Sequence, residues 1–276
     1  MQKLFLFIMF ATSLAQAQYG AISTATAGSG RATVEPSESP VLNPASIPFS
    51  RGYFFTSDYA TMSGTEEFTV GLTDNMPDSV VPAAFIYNQV NGKSLRNQNF
   101  TTQDLRLEFA NLIKKNLAFG MTVRSKTDSV LNTQYRQTNL LMGTIFALNS
   151  EIGLALVLDN LLGTNAEVPM DYRLVPAIGL GLNYNYKKVI RFRLDLETAS
   201  NDSFNEPAIS GGLEGHWNQW LLFRMGVRKT LETNIDEYGV GVGFAGPKFA
   251  FHYGYLSSPQ QDKLDRHAVD LAIPIW

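Results

Sequence analysis

From Arg51 to the end of the chain, apolar and polar residues alternate with a period of two. Leu105, Leu107 and Phe109 fall on one side of an extended segment, and Arg106 and Glu108 on the other. Leu117, Phe119, Met121 and Val123 oppose Gly120, Thr122, Arg124 and Lys126, while Ile152, Leu154, Leu156 and Leu158 oppose Gly153, Ala155 and Asp159. Between Ile190 and Glu197, large apolar residues alternate with Arg191, Arg193, Asp195 and Glu197, and Leu221, Phe223, Met225 and Val227 oppose Arg224 and Arg228. Side chains along a strand point to alternate faces, so this pattern predicts two-faced strands rather than helices. About fourteen strands fit between Arg51 and Trp276, or about twelve if the weakly patterned stretch Gly64–Asn91 does not supply two.

A β-sandwich or a small soluble barrel also alternates, with its apolar face turned inward. Three features predict the inverted arrangement, an all-β transmembrane antiparallel up-and-down barrel. Short turns fall near Ile113–Asn116, Leu148–Glu151, Asn185–Lys188, His216–Gln219 and Ala245–Lys248. Longer polar connections are predicted between them, at Asn91–Thr101, Thr127–Thr133, Asn160–Asp171, Ala199–Asn205, Lys229–Asp236 and Ser257–Arg266, as in an outer-membrane barrel. Aromatic residues gather at two levels: Phe146, Tyr184, Tyr186, Trp217, Trp220, Phe244 and Phe249 beside the short turns, and Tyr59, Tyr87, Tyr135, Tyr172, Tyr238 and Tyr255 near the long ones. Bilayer interfaces select such belts. Finally, His267–Ile275 alternates up to the terminal Trp276, which resembles the signal that hands barrel proteins to the outer-membrane assembly machinery. Trp276 is out of step with the apolar row, and Pro274 lies within the strand, where proline is tolerated only if a ladder bond is missing.

Composition narrows the class further. The 276 residues are 17% charged and 12% aromatic, against roughly 25% charged in soluble domains. No apolar run reaches the ~20 residues of a membrane-spanning helix. The chain has no cysteine, which excludes disulfides, thiolate metal sites and cysteine nucleophiles. A net charge of −3 leaves no nucleic-acid footprint. At the start, Lys3, the apolar run Leu4–Phe10 and the small-x-small motif Ala15-Gln16-Ala17 read as a signal peptide spanning residues 1–17, removed after export. The expected location is therefore the bacterial outer membrane, with its lipid as the first partner.

Residues 18–50 do not alternate and are rich in Ala, Gly, Ser, Thr and Pro. The run Ala25-Thr26-Ala27-Gly28-Ser29-Gly30, then Glu35 and Glu38, then Asn43-Pro44-Ala45-Ser46-Ile47 resembles the opening segment of the FadL superfamily of outer-membrane proteins and of the related PorV/PorQ-like barrels. The paired acids usual there are replaced by Glu35-Pro36-Ser37-Glu38. Gly239–Phe244, Phe249–Tyr255 and Arg266–Leu271 resemble the last strands of PorV-type proteins, and Gly153–Gly163 resembles a mid-chain strand end of the same group. This resemblance implies a plug or hatch inside the barrel of residues 51–276, carried by Gly28, Gly30, Asn43, Pro44 and Ala45, with the Asn-Pro-Ala turn at its periplasmic end.

Candidate chemistry is sparse. His216, His252 and His267 show no metal-ligand spacing, so no metal or cofactor is expected. His252, placed near Ser257 and Ser258 on the inner face, raises a membrane-embedded hydrolase, but no nucleophile motif accompanies it and an enzyme is not expected. Arg191, Arg193, Asp195, Glu197, Arg224 and Arg228 are predicted to line the lumen as a charge ladder. Small residues at Ala177, Gly179, Gly181, Gly241 and Gly243 leave room inside. The leading expectation is passive transport or binding of a small hydrophobic solute past the plug. The alternative is a non-transporting barrel that docks a secreted protein or surface complex through its outer loops.

Overall fold

A computed structural model of the chain describes residues 20–93, 98–163, 165–201, 204–260 and 265–275; the leader assigned to residues 1–17 and the terminal Trp276 lie outside them. Among the described residues, fourteen antiparallel strands follow one another around a closed transmembrane barrel. They are β1 (Gly52–Met62), β2 (Thr65–Asn75), β3 (Ala83–Lys93), β4 (Asn99–Lys114), β5 (Leu117–Val130), β6 (Thr133–Ala147) and β7 (Ile152–Asp159). The circle continues with β8 (Ala177–Tyr186), β9 (Ile190–Asn201), β10 (Phe204–His216), β11 (Leu221–Thr230), β12 (Ile235–Ala245), β13 (Ala250–Ser257) and β14 (Arg266–Ile275). The weak stretch Gly64–Asn91 thus supplies two strands, and β14 closes the sheet against β1. Closure leaves no strand edge, which a hydrocarbon surrounding requires because it offers no partner to a free N–H or C=O.

The inversion is plain on β9. Phe192, Leu194 and Leu196 are 48%, 43% and 43% exposed on the outside, whereas Arg193 and Asp195 between them are 4% and 1% exposed inside. At one end of the barrel Tyr184 stacks on Phe192, Trp217 meets Phe223 edge-on, and Phe244 lies between Trp220 and Phe249. At the other end Tyr135 stacks on Tyr172, and Tyr255 packs on His267. Pro274 lies beyond the last residue pair between β13 and β14, so one of its sides has no ladder to complete.

The outer connections differ from those the sequence predicts. Within Thr127–Thr133, β5 runs to Val130 and β6 begins at Thr133, around a tight turn with Leu131 at φ 55°. Within Ala199–Asn205, β9 runs to Asn201 and β10 begins at Phe204, and Lys229–Asp236 holds only the turn between Thr230 and Ile235. The reason is that these strand ends rise above the lipid, where both faces are polar. Thr127 and Arg136 point outward and Lys126, Asp128 and Gln137 inward, so no alternation marks the strand. The connection after β7 remains long, and it folds back over the mouth. The Tyr172 carbonyl accepts bonds from Lys126 Nζ (3.0 Å) and Gln137 Nε2 (2.9 Å), and Val168, Leu174 and Val175 of the same connection are buried.

Residues 20–50 lie inside the barrel. A short helix, α1 (Ala21–Ala25), rests against β11 to β14. It is followed by α2 (Ser39–Leu42) and by a 3-10 turn, Pro44–Phe49, which rests against β2, β4, β5 and β6. The chain therefore passes around most of the inner wall before entering β1.

Candidate functional site

A backbone can lie this close to a sheet only where the sheet presents no side chains, and glycines mark the path. A Cβ on Gly254 of β13 would stand 2.2 Å from the Ala21 carbonyl oxygen, and one on Gly239 of β12 2.5 Å from that of Thr24. On Gly226 of β11 it would stand 2.2 Å from the Thr26 carbonyl carbon, and on Gly212 of β10 2.5 Å from Ser29 Oγ. The path continues past Gly181 of β8, where it would lie 2.9 Å from Ala32 N, and past Gly143 of β6 and Gly120 of β5, 2.0 Å from Asn43 Oδ1 and 2.5 Å from Ala45 N. Carbon contacts normally sit at about 3.5–4 Å, so each of these positions excludes any larger residue while the segment is in place.

The expected plug residues fall on this path. Ala27 and Gly28, at φ 50° and 86°, turn the chain out of α1, and Gly28 N donates to the Ser23 carbonyl at 2.7 Å. Gly30 N donates to Asp195 Oδ2 at 3.0 Å. Asn43 Oδ1 accepts from Ala45 N (3.0 Å) and so caps the 3-10 turn. Its Nδ2 donates to the carbonyls of Arg31 (3.0 Å) and Thr144 (3.2 Å), joining both limbs of the segment to β6. Pro44 occupies the first position of that turn, where no N–H is needed.

Charge supplies the second fastening. Arg31 occupies the space above Gly179, where a Cβ would lie 2.4 Å from its Nε. Its guanidinium pairs with Asp195 at 3.2 Å and with Glu197, and Arg31 N also donates to Asp195 Oδ2 (3.0 Å). Glu35 pairs with Arg191 and approaches Arg193 at 3.5 Å. Glu214 of β10 gathers Arg191 (3.2 Å), Arg193 (2.9 Å) and Arg224 (2.6 Å). Arg228 bridges Glu197 at 3.9 Å and Glu237 at 3.5 Å. The six charges predicted to line the lumen thus fall into two clusters, each joined by one side chain of the inserted segment: Arg191, Arg193 and Arg224 with Glu35, and Asp195, Glu197 and Arg228 with Arg31. Burial pushes the Glu35 carboxyl up, and Arg191 and Arg193 more than reverse this, holding it below the ordinary carboxylate range. A buried ion stripped of its partner is strongly destabilising, so these clusters favour the inserted state.

On the opposite side, beside β14, β1 and β2, acids predominate. Glu38 accepts from Gly20 N (2.9 Å) and Ser23 N (2.8 Å), and Asp58 accepts from Ala21 N (3.1 Å). Asp58 and Asp270 are directly opposed across β1 and β14. His252 Nδ1 lies 2.6 Å from Asp270 Oδ1, while Ser258 Oγ, at the far end of β13, donates to the Asp236 carbonyl. The His/Ser pairing raised by the sequence is therefore not assembled. His267 sits outside the barrel, bonded to the Tyr253 hydroxyl at 2.8 Å, and among the described residues no three His, Cys, Asp or Glu side chains are grouped to hold a metal.

Two features were not singled out from sequence. Arg31 is the only basic residue in Gln18–Ser50, and that solitude was the available signal. The second is a pocket of about 590 Å³ at the inner end, between Glu35–Ser37 of the inserted segment, Tyr53 and Phe54 of β1, and Phe249, Pro274 and Arg191.

No protein-family model matches the chain, and neither does any curated protein. Solved structures do. The toluene transporter TbuX of Ralstonia pickettii aligns with a TM-score of 0.75 at 11% identity, covering 94% of this chain and 98% of its own. The CymD monoaromatic hydrocarbon channel aligns at 0.73 and 10% identity, over 93% and 97% of the two chains. A FadL homologue from Pseudomonas aeruginosa aligns at 0.65 and 11% identity, over 94% and 98%. At such identities the likeness is one of fold: this is a FadL-like fourteen-stranded barrel.

Proposed function

We propose that the protein is a bacterial outer-membrane channel for a small apolar solute, closed by residues 18–50 acting as a hatch. One observation carries this reading. The N-terminal segment threads a closed barrel along its inner wall, and the fold matches those of proteins described as hydrocarbon channels and toluene transporters over nearly their whole length. The fastening suits a hatch that leaves and returns. Among its described residues the buried side chains are mostly small, with Ile22 and Ile47 the large apolar ones among the most buried, so displacement exposes little apolar surface. The inner-end pocket lies directly beneath Glu35–Ser37 and gives a displaced solute somewhere to go.

Residues 1–17 act as the export leader, leaving a mature chain that starts at Gln18, and Trp276 contributes to handover to the barrel assembly machinery. No enzymatic role is assigned: His252 is bonded to Asp270, and Ser258 is bonded elsewhere, to the Asp236 carbonyl. The docking alternative loses support from the tight outer turns, which offer a partner few large loops.

The test is uptake of radiolabelled toluene by cells that carry the protein in a lipopolysaccharide-rich outer membrane, together with ligand binding by the purified barrel. Uptake should exceed that of cells without the protein, and removal of residues 18–50 should make the outer membrane leaky to small polar solutes as well. Uptake equal to that of control cells, with no binding of apolar ligand, would overturn the reading.

A further inference from the structure

Among the described residues, the acids around the start of the hatch outnumber the cations that face them. Glu38 on the hatch faces Asp58 of β1, Asp270 of β14, Arg266 of β14 and Arg193 of β9. Arg266 is committed to Glu67 of β2 at 2.8 Å and to Thr24 Oγ1 at 3.2 Å, and Arg193 is shared between Glu214 and Glu35. Among the described residues His252 is the remaining basic group, on Asp270, and the α-amino group of the proposed mature start, Gln18, falls two residues before Gly20. Glu38, Asp58 and Asp270 are 3%, 7% and 2% exposed, and Asp270 Oδ2 is buried with no hydrogen-bond partner. Gly20 is wedged among them: a Cβ there would lie 3.2 Å from Glu38 Cδ and 3.4 Å from Asp58 Oδ2. Like charges opposed across a strand pair repel. Among the described residues these acids are not arranged to hold a metal, and a proton neutralises a carboxylate without needing further room.

Resting on the hatch reading above, we propose that Glu38, crowded by Asp58 and Asp270 of the wall, acts as a proton-loaded clamp that holds the hatch in acid and loosens it toward neutral pH. Burial, and then Asp270, push the Glu38 carboxyl up to about 7 from its ordinary 4.5. A carboxyl raised in the docked state favours that state below its ordinary value. The advantage fades as pH rises from 4.5 through 7, because the docked form alone must keep the proton. Release therefore increases with pH.

The absence of native cysteine gives a clean reporter: a trifluoroethylthio label on Ser37→Cys, at the rim of the inner pocket, read by fluorine NMR in nanodiscs. The docked-to-released ratio should fall by at least about tenfold between pH 5 and pH 8, roughly 70-fold being the ceiling for these values. Asp270→Asn keeps the His252 acceptor and removes the repelling charge, so the released fraction at pH 7 should drop at least about fivefold. Glu38→Gln, as a second variant, should flatten the dependence. A ratio independent of pH, one that rises with pH, or a full pH response surviving in both variants would overturn the clamp. Toluene uptake is measured separately: a pH-driven hatch without uptake leaves the clamp standing and defeats the channel, and uptake without a pH response does the reverse.

Discussion

Gly226→Ala tests whether the hatch and the wall compete for the same space. Gly226 lies on β11 in register with Gly212 and Gly239, so a row of three glycines faces the lumen at one level. The added methyl carbon would stand 2.2 Å from the Thr26 carbonyl carbon and 2.5 Å from both its Cα and its oxygen. These are backbone atoms and cannot rotate away, so the hatch must move by more than 1 Å or leave. Overpacking of this kind costs about 3 kcal/mol at the upper end of the usual range, which corresponds to a roughly 100-fold shift from docked to released. The barrel itself should lose little, because alanine is tolerated in a strand and no wall side chain is displaced. The assay is swelling of liposomes in arabinose, which the bilayer excludes, beside the heat-modifiable gel mobility of a folded barrel. Swelling should rise steeply in Gly226→Ala with mobility unchanged. Gly215→Ala serves as control, since a Cβ there meets nothing within 4 Å. Equal swelling in Gly226→Ala, Gly215→Ala and the parent would refute the competition.

Other outcomes follow from the same geometry. Arg31→Met strips Asp195 and Glu197 of their hatch cation and should weaken docking by about 3–5 kcal/mol, seen as increased protease cleavage between residues 20 and 50 in the folded barrel. Gly143→Ala collides with Asn43 Oδ1 at 2.0 Å, and adding Asn43→Ala should restore part of the closure it loses, a compensation that the swelling assay reads directly. Leu194→Lys places a charge in the outward row of β9 and should cost about 2–4 kcal/mol of folding free energy in lipid, measured by urea titration of the refolded protein. Leu222→Lys offers no such clean comparison, because Leu222 is buried inside.

Strands crossing the lipid were legible because the two solvents on their two faces impose opposite demands. Phe192-Arg193-Leu194-Asp195 can be read no other way once a soluble core is excluded. The strand ends above the lipid were not legible: around Lys126–Val130 and Thr133–Thr138 both faces meet water or polar groups, so strand and loop use the same residues. Alternation marks Gly179, Gly181, Gly241 and Gly243 as room inside the barrel, room that at Gly179, Gly181 and Gly241 the inserted segment fills, but it does not mark a continuous path. That path joins positions as far apart as Gly120 and Gly254, and only the register of nine consecutive strands aligns them. Alternation turns Arg191 and Arg193 inward, yet their pairing with Glu35 spans more than 150 positions and leaves no local trace.

The tall ends of β4, β5 and β6 have a practical consequence. From Val123, the last large apolar residue on the outer face of β5, to Val130 at its tip, the strand climbs roughly 15–20 Å beyond the hydrocarbon, allowing for the usual tilt. It does so as a hydrogen-bonded ribbon ending in the turn at Leu131 and Asn132. That stiff parapet stands well clear of the lipid. A short epitope spliced between Leu131 and Asn132 would be displayed to antibodies on intact bacteria without disturbing the lumen.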